Sequence, residues 1–246
     1  MNRDIATYED TYNDLPFEAD QAYLRRVGVL ELLEQYQPKS LLEVGCGMHP
    51  IFTDYQTFDK LTVVEPGDVF AGEARKLAEQ HDGGEVNVIT AFLENAKLEG
   101  ESFDMILLVS LLHEVDDPLA FLQKASELGS KGTKYLINVP NEKSFHRQLA
   151  VKLGLIKAES EISDQQKTLQ QNRIFNQRNI AEALESVGLK VLESNTVIFK
   201  PFTHGQMQKM LDAEIVTREQ MHAFCSMMHL VDGDAGSEIT LIAEKI

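Results

Sequence analysis

Two glycines and two carboxylates are the residues best placed by type and spacing to do chemistry. In LLEVGCGMHP, residues 41 to 50, an apolar run carrying Glu43 turns through Gly45, Cys46 and Gly47. Glycine lets backbone N–H groups approach a ligand with no Cβ in the way, and a turn of this kind after a strand suits a cofactor. Glu65 ends the next apolar run, LTVVEPG, 22 residues beyond Glu43. A dinucleotide-type fold places there the carboxylate that accepts ribose hydroxyls. Three positions after Gly47 the residue is Pro50, where a dinucleotide fingerprint has its third glycine. Without that glycine a pyrophosphate is poorly accommodated, so a nucleoside lacking phosphates is favoured over NAD or FAD.

A third segment, FDMILLVSLLHEVDDP (Phe103–Pro118), brings Ser110, Leu111 and His113 just past another apolar run. A histidine near neutral pKa can take a proton from an acceptor hydroxyl. The other reading of His113 is a residue that only hydrogen-bonds the loop or shields the cofactor. Asp117, directly before Pro118, reads as a helix N-cap rather than a metal ligand. The remaining histidines, among them His49, His81 and His204, lack HxxEH or HExxH spacing, so no metal is expected.

The elements that must position these residues follow from short apolar runs. Candidate strands are Ser40–Val44, Leu61–Glu65, Val86–Thr90, Phe103–Val109, Thr133–Val139, Lys190–Ile198 and Glu238–Ala243. Helical patterns lie between most of them. Phe70, Ala74, Leu77 and Ala78 share one face, a second helix runs from Pro118 to a stop at Gly129, and a third is capped by Asn176 and ended by Gly188. Alternation of strand and helix predicts an α/β fold with a parallel sheet, covered on both faces, and a binding crevice at the carboxyl ends of the strands. Two longer stretches, Asn141–Arg173 and Pro201–Gly236, look helical and are expected above that crevice. Met207, Met210, Met221, Met227 and Met228 recur at helical intervals, as filling between short helices or as a wall for an acceptor or a dimer contact.

Composition excludes several classes. The 246 residues carry a formal charge of −16, with 43% hydrophobic and 25% charged residues. That acidity opposes a phosphate backbone, so no nucleic-acid partner is expected. Two cysteines without CxxC spacing fit a reducing compartment. The N-terminal MNRDIATYEDTYNDLPFE lacks an apolar h-region and no run approaches a membrane span, which predicts a cytoplasmic protein with no membrane partner.

Taken together, LLEVGCG, LTVVEP and the Phe103–Pro118 segment resemble, in order, the motifs of the class I S-adenosylmethionine-dependent methyltransferases, over about residues 18 to 200. The resemblance implies a Rossmann-like seven-stranded, mostly parallel sheet with an antiparallel last strand, EITLIAEKI, and helical cap insertions. It implies one domain over 1–246: an N-terminal helical lid (1–37), a cofactor-binding core (38–140), a helical cap insertion (141–175) and the C-terminal part of the core (176–246). Glu43, Gly45, Cys46 and Gly47 would surround the methionine part of S-adenosyl-L-methionine, Glu65 its ribose and Pro66 its adenine. Phe92 and Leu93, in the exit of the third strand, would wall the adenine. Ala91 stands where the family has an aspartate, a place Glu94 or Asn95 could fill. Ser110 and Leu111 would lie beneath the sulfonium, with His113 the catalytic candidate.

LINVPNEKSFHRQLA resembles segments of methyltransferases acting on sugars and secondary metabolites, which implies a sugar-like or hydroxylated small acceptor, and oxygen is the expected site of methylation. Tyr8, Tyr12, Asn141, His146, Arg147 and Arg173, with Phe17, are the expected acceptor-binding residues. A homodimer is compatible with the methionine cluster. Two rival readings stay open, a nicotinamide-dependent oxidoreductase and a module that holds S-adenosylmethionine without catalysis.

Overall fold

The structure is a computed structural model that describes residues 5, 16–162, 171, 173–231 and 233–246. A seven-stranded sheet runs through its middle, built from β1 (Ser40–Val44), β2 (Lys60–Glu65), β3 (Glu85–Thr90), β4 (Met105–Val109), β5 (Lys134–Pro140), β6 (Leu189–Val197) and β7 (Glu238–Lys245). Their order is β3-β2-β1-β4-β5-β7-β6. The pairs among β1 to β5 are parallel, and β7 runs antiparallel to both β5 and β6. Each expected strand is present, with ends shifted by a residue or two. β4 starts at Met105 rather than Phe103, because the Asp104 carboxylate accepts from the Lys39 and Ser40 N–H groups at 2.8 and 2.9 Å and so ends the incoming loop.

Period-two alternation divides the core between the two faces of the sheet. Leu42, Val44, Ile106, Leu108, Ile137 and Val139 face one layer, closed by α3 (Pro118–Leu128) and α5 (Gln177–Ser186). Leu41, Leu61, Val63, Met105, Leu107 and Leu136 face the other, closed by α1 (Glu18–Tyr36) and α2 (Asp68–Glu79). Each such fully buried aliphatic side chain contributes about 1.5–3 kcal/mol relative to exposure. Helix ends follow local chemistry. Asp117 accepts from the Leu119 and Ala120 N–H groups, both at 3.1 Å, and Pro118 occupies the first helical position. Asn176 and Asn179 form a reciprocal cap on α5, and Gly188 just beyond it has φ 78°.

The cap elements sit after β5 and β6. They are α4 (Phe145–Lys152), α6 (His204–Asp212), α7 (Arg218–Ser226) and a 3₁₀ turn at Met227–Leu230. Met207, Met221 and Cys225 form a small separate core with Phe17 and Ile198. Met228 is buried and Met210 packs at that core's margin, whereas Met227 is exposed. α1 is more than a cover, because its Val29 and Leu33 are part of the core on one face of the sheet. No helix among the described residues is long and apolar enough to cross a membrane.

Candidate active site

A cavity of about 870 Å³ opens along the carboxyl ends of the parallel strands, within the size range of small-molecule sites. Its first half lies over β1, β2 and β4. Gly45 and Gly47 have φ of 74° and 55°, and a Cβ on Gly47 would meet nothing within 4 Å. The second glycine therefore keeps the backbone open to the cavity. The Gly45 N–H donates to Val64 O at 2.8 Å, which ties the turn to β2.

Glu65, buried at the end of β2, accepts from the Gly47 N–H at 3.1 Å and the Gly67 N–H at 2.8 Å. One carboxylate thus fixes two loops and stays at the cavity wall. Glu43 accepts from the Ile51 N–H with both oxygens, at 3.0 and 3.1 Å. Burial pushes its pKa up to about 7, against the pull of the Ile51 hydrogen bond and of Arg26. Arg26 of α1 holds the same loop from outside, donating to His49 O and Pro50 O at 2.6 and 2.8 Å and pairing with Asp54. Burial raises the Cys46 thiol, so it stays neutral.

This arrangement fits a cationic nucleoside better than a dinucleotide. The element after the glycine turn is a 3₁₀ turn, Ile51–Thr53, whose first N–H is already taken by Glu43. A pyrophosphate would need a free helix N-terminus there and would meet two carboxylates. A sulfonium with an α-amino group gains from the same charges.

At the end of β4, Ser110 adopts φ 55°, a left-handed conformation uncommon outside glycine and found preferentially at functional sites. Its N–H donates to Asn138 O at 2.9 Å. His113, 2% exposed, lines the cavity with Nε2 3.7 Å from Glu114 Oε1. The cavity wall thus brings together Glu43, Gly45, Cys46, Gly47, Glu65, Pro66, Ser110, Leu111 and His113. Phe92 and Leu93 are not in that wall. Leu93 is packed into the core with Leu98 and Phe103, because the 3₁₀ turn Leu93–Asn95 folds it inward, and Glu94 and Asn95 are exposed.

The acceptor candidates divide in the same way. Tyr8 and Tyr12 lie outside the described residues. Phe17 is buried in the cap core, with its N–H donating to Gln208 Oε1 at 2.9 Å. Arg173 is exposed and outside the cavity wall. Asn141 lines the cavity, but its amide donates to Asp234 O and Gly236 O at 2.7 and 2.8 Å and its oxygen accepts from the Lys143 N–H. Arg147 donates to the carbonyls of Glu159 and Glu161, so it braces the cap segment. His146 lines the cavity with burial and neighbouring cations holding its pKa well below the usual range.

Sequence reasoning missed Gln21 and Arg25 of α1, Lys200 just beyond β6 and His204 of α6, all on the cavity wall. Lys200 had a signal. It is a lone charge in VIFKPF directly after a strand, which puts it at the same carboxyl end of the sheet as Ser110.

The fold and the site together define a class I, Rossmann-like S-adenosylmethionine-dependent methyltransferase. A family model described as a methyltransferase domain matches residues 17–194, and the chain belongs to that family. An uncharacterized protein of Methanocaldococcus jannaschii is 25% identical over 172 residues, covering 70% of this chain and 75% of its own. Among solved structures, a Thermotoga maritima S-adenosylmethionine-dependent methyltransferase, described as a possible histamine N-methyltransferase, superposes with a TM-score of 0.59. It is 18% identical and covers 98% of this chain and 99% of its own. Magnesium protoporphyrin IX methyltransferase of Synechocystis, solved with bound S-adenosylhomocysteine, gives a TM-score of 0.58 at 12% identity, covering 92% and 84%. At these identities the two structures share the fold with this chain.

Proposed function

We propose that the chain methylates a hydroxyl oxygen of a small, hydroxylated metabolite, in the single cavity that joins the glycine turn to His113 and the cap. That continuity is the observation carrying the reading. The donor, S-adenosylmethionine, supplies an electrophilic methyl group and leaves with the electron pair of the broken carbon–sulfur bond. Glu65 receives the ribose hydroxyls, and the open backbone at Gly47 with Glu43 behind it receives the methionine end. Ser110 and Leu111 form the floor beneath the reacting centre. His113 takes the proton that the acceptor hydroxyl loses as its oxygen bonds to the methyl carbon, with Glu114 favouring the resulting imidazolium. Alignment and exclusion of water supply the rest of the rate.

The test is transfer of labelled methyl from S-adenosylmethionine to a panel of hydroxylated, amino and thiol acceptors. Wild type should label a hydroxylated compound, and His113→Asn should lower kcat by roughly a hundredfold or more with little change in cofactor affinity. Labelling of amines alone would replace the oxygen acceptor. Tight S-adenosylhomocysteine binding with no transfer to any class would favour a non-catalytic module.

A further inference from the structure

The second half of the cavity, over β5, β7 and β6, contains a charge arrangement that the cofactor does not use. Glu238, 1% exposed at the start of β7, is taken by Arg25 at 2.7 to 3.1 Å, by the Gln21 amide at 2.6 Å and by the Asn138 amide at 2.9 Å. Those bonds fix the rotamer of Gln21, which turns its oxygen the other way. Gln21 Oε1 accepts from Lys200 Nζ at 2.8 Å and lies 2.6 Å from His204 Nε2.

Lys200 is 3% exposed and lines the cavity, and it contacts two side-chain atoms, Gln21 Oε1 at 2.8 Å and His204 Nε2 at 2.9 Å, neither of them a carboxylate. Among the described residues no carboxylate lies within salt-bridge distance of it. Glu238 is held one amide away and Glu18 bonds toward Arg25 at 3.5 Å. Beside it, Nδ1 of His146, on α4, is buried with no hydrogen-bond partner among the described residues. A buried cation normally has an ion partner, because burial without one costs several kcal/mol.

We propose that Lys200 and His146 form a carboxylate-binding subsite, so that the methyl acceptor is a hydroxy acid whose carboxylate sits at Lys200 while its hydroxyl reaches His113. This rests on the methyl-transfer reading and names its substrate class. A carboxylate would give Lys200 the direct ion contact that Glu18 and Glu238, which act on it only from a distance, do not supply. Burial pulls the Lys200 pKa down to about 8 against the pull of Glu18 and Glu238, and a bound anion would favour the ammonium further. Geometry sets the length of the acceptor. β4, β5, β7 and β6 lie in that order, and three strand spacings of about 4.8 Å, less the inward reach of the side chains, put the two ends on the order of 10 Å apart.

The experiment is calorimetric binding, with S-adenosylhomocysteine present and absent, of straight-chain ω-hydroxy acids from hydroxybutyrate to hydroxydecanoate and of hydroxyphenylpropionate, each beside its primary amide. Inorganic phosphate is the control anion. In wild type at least one carboxylate should bind about tenfold or more tightly than its amide, with an optimum at intermediate length. Lys200→Met should erase that preference while leaving S-adenosylhomocysteine affinity within about twofold, since its contacts lie at the other end of the cavity. No carboxylate preference in wild type, a preference retained in Lys200→Met, or selection of phosphate over every carboxylate would each overturn the subsite. The wild-type comparison decides the matter even if the variant does not fold. Failure of S-adenosylhomocysteine to bind, with the carboxylate preference intact, would instead remove the methyltransferase reading and leave the subsite standing.

Discussion

Near neutral pH Glu43 stands between its two charge states. Its folded pKa, about 7, exceeds the ordinary value of 4.5 because burial disfavours the carboxylate. The fold therefore favours the protonated form. Its stabilising contribution is complete below pH 4.5 and is lost as pH rises to about 7, a change on the order of 3 kcal/mol. Glu43→Gln should flatten the pH dependence of urea unfolding across that interval; an unchanged slope would show that other groups set it. On the proposed function, a sulfonium bound beside Glu43 reverses the preference, since a nearby cation favours the carboxylate. Cofactor affinity should rise with pH up to about 7 in wild type and less so in the glutamine variant. Glu65 differs because it accepts from two loops, at Gly47 and Gly67, while facing the cavity. Glu65→Ala should weaken S-adenosylhomocysteine binding by roughly 1.5–3 kcal/mol and lower the melting temperature. Wild-type affinity by calorimetry would mean that the ribose is held elsewhere.

Among the elements, the junction between the end of β5 and the start of β7 is tied by one side chain in addition to backbone bonds from Asn141 to Ser237 and from Phe145 to Ala235. The Asn141 amide satisfies the Asp234 and Gly236 carbonyls, so Asn141→Ala should cost about 1–3 kcal/mol in chemical denaturation, with little effect on cofactor affinity. A neutral result would mean that water replaces both bonds. This residue also shows how far the sequence can be read. Its place above the crevice follows from topology, because an insertion after a parallel strand must emerge there. Its partners do not follow, since they lie more than ninety residues away in a loop whose path no local pattern specifies. All seven strands were legible because each is a short apolar run bounded by turns, and the Asp117 and Asn176 caps because capping is local chemistry. Leu93 failed for the opposite reason: whether an apolar side chain after a strand faces ligand or core depends on a single 3₁₀ turn. Gln21 and Arg25 were hidden because α1 has weak amphipathic patterning, and its polar residues find their partners only in the assembled molecule.

For the molecule as a whole, the cavity joins segments from α1 to the residues beyond β6, so a ligand bound there is linked to the folding of the entire chain. S-Adenosylhomocysteine at a hundred times its Kd should stabilise the protein by about 2.7 kcal/mol, provided that the unfolded chain does not bind it. Scanning calorimetry should show one transition moving upward with ligand. Two transitions, with only one responding, would show that the cofactor half and the cap unfold separately.

The antiparallel β7 carries a consequence for the order of assembly. It is the last strand along the chain, yet it lies between β5 and β6. While the protein is being synthesised, the first five strands can therefore close around the glycine turn. β6 has no sheet to join until residues 238–245 arrive. The β5–β7 pairing, from Lys134↔Glu244 to Pro140↔Glu238, joins residues farther apart in sequence than any other strand pair, and contacts of such long separation form slowly. Pulse-labelled hydrogen exchange during refolding should protect β1, β2 and β4 before β6 and β7, and simultaneous protection would refute that sequence. The nascent enzyme would then bring together its grip on the methyl donor before the wall that selects what is methylated.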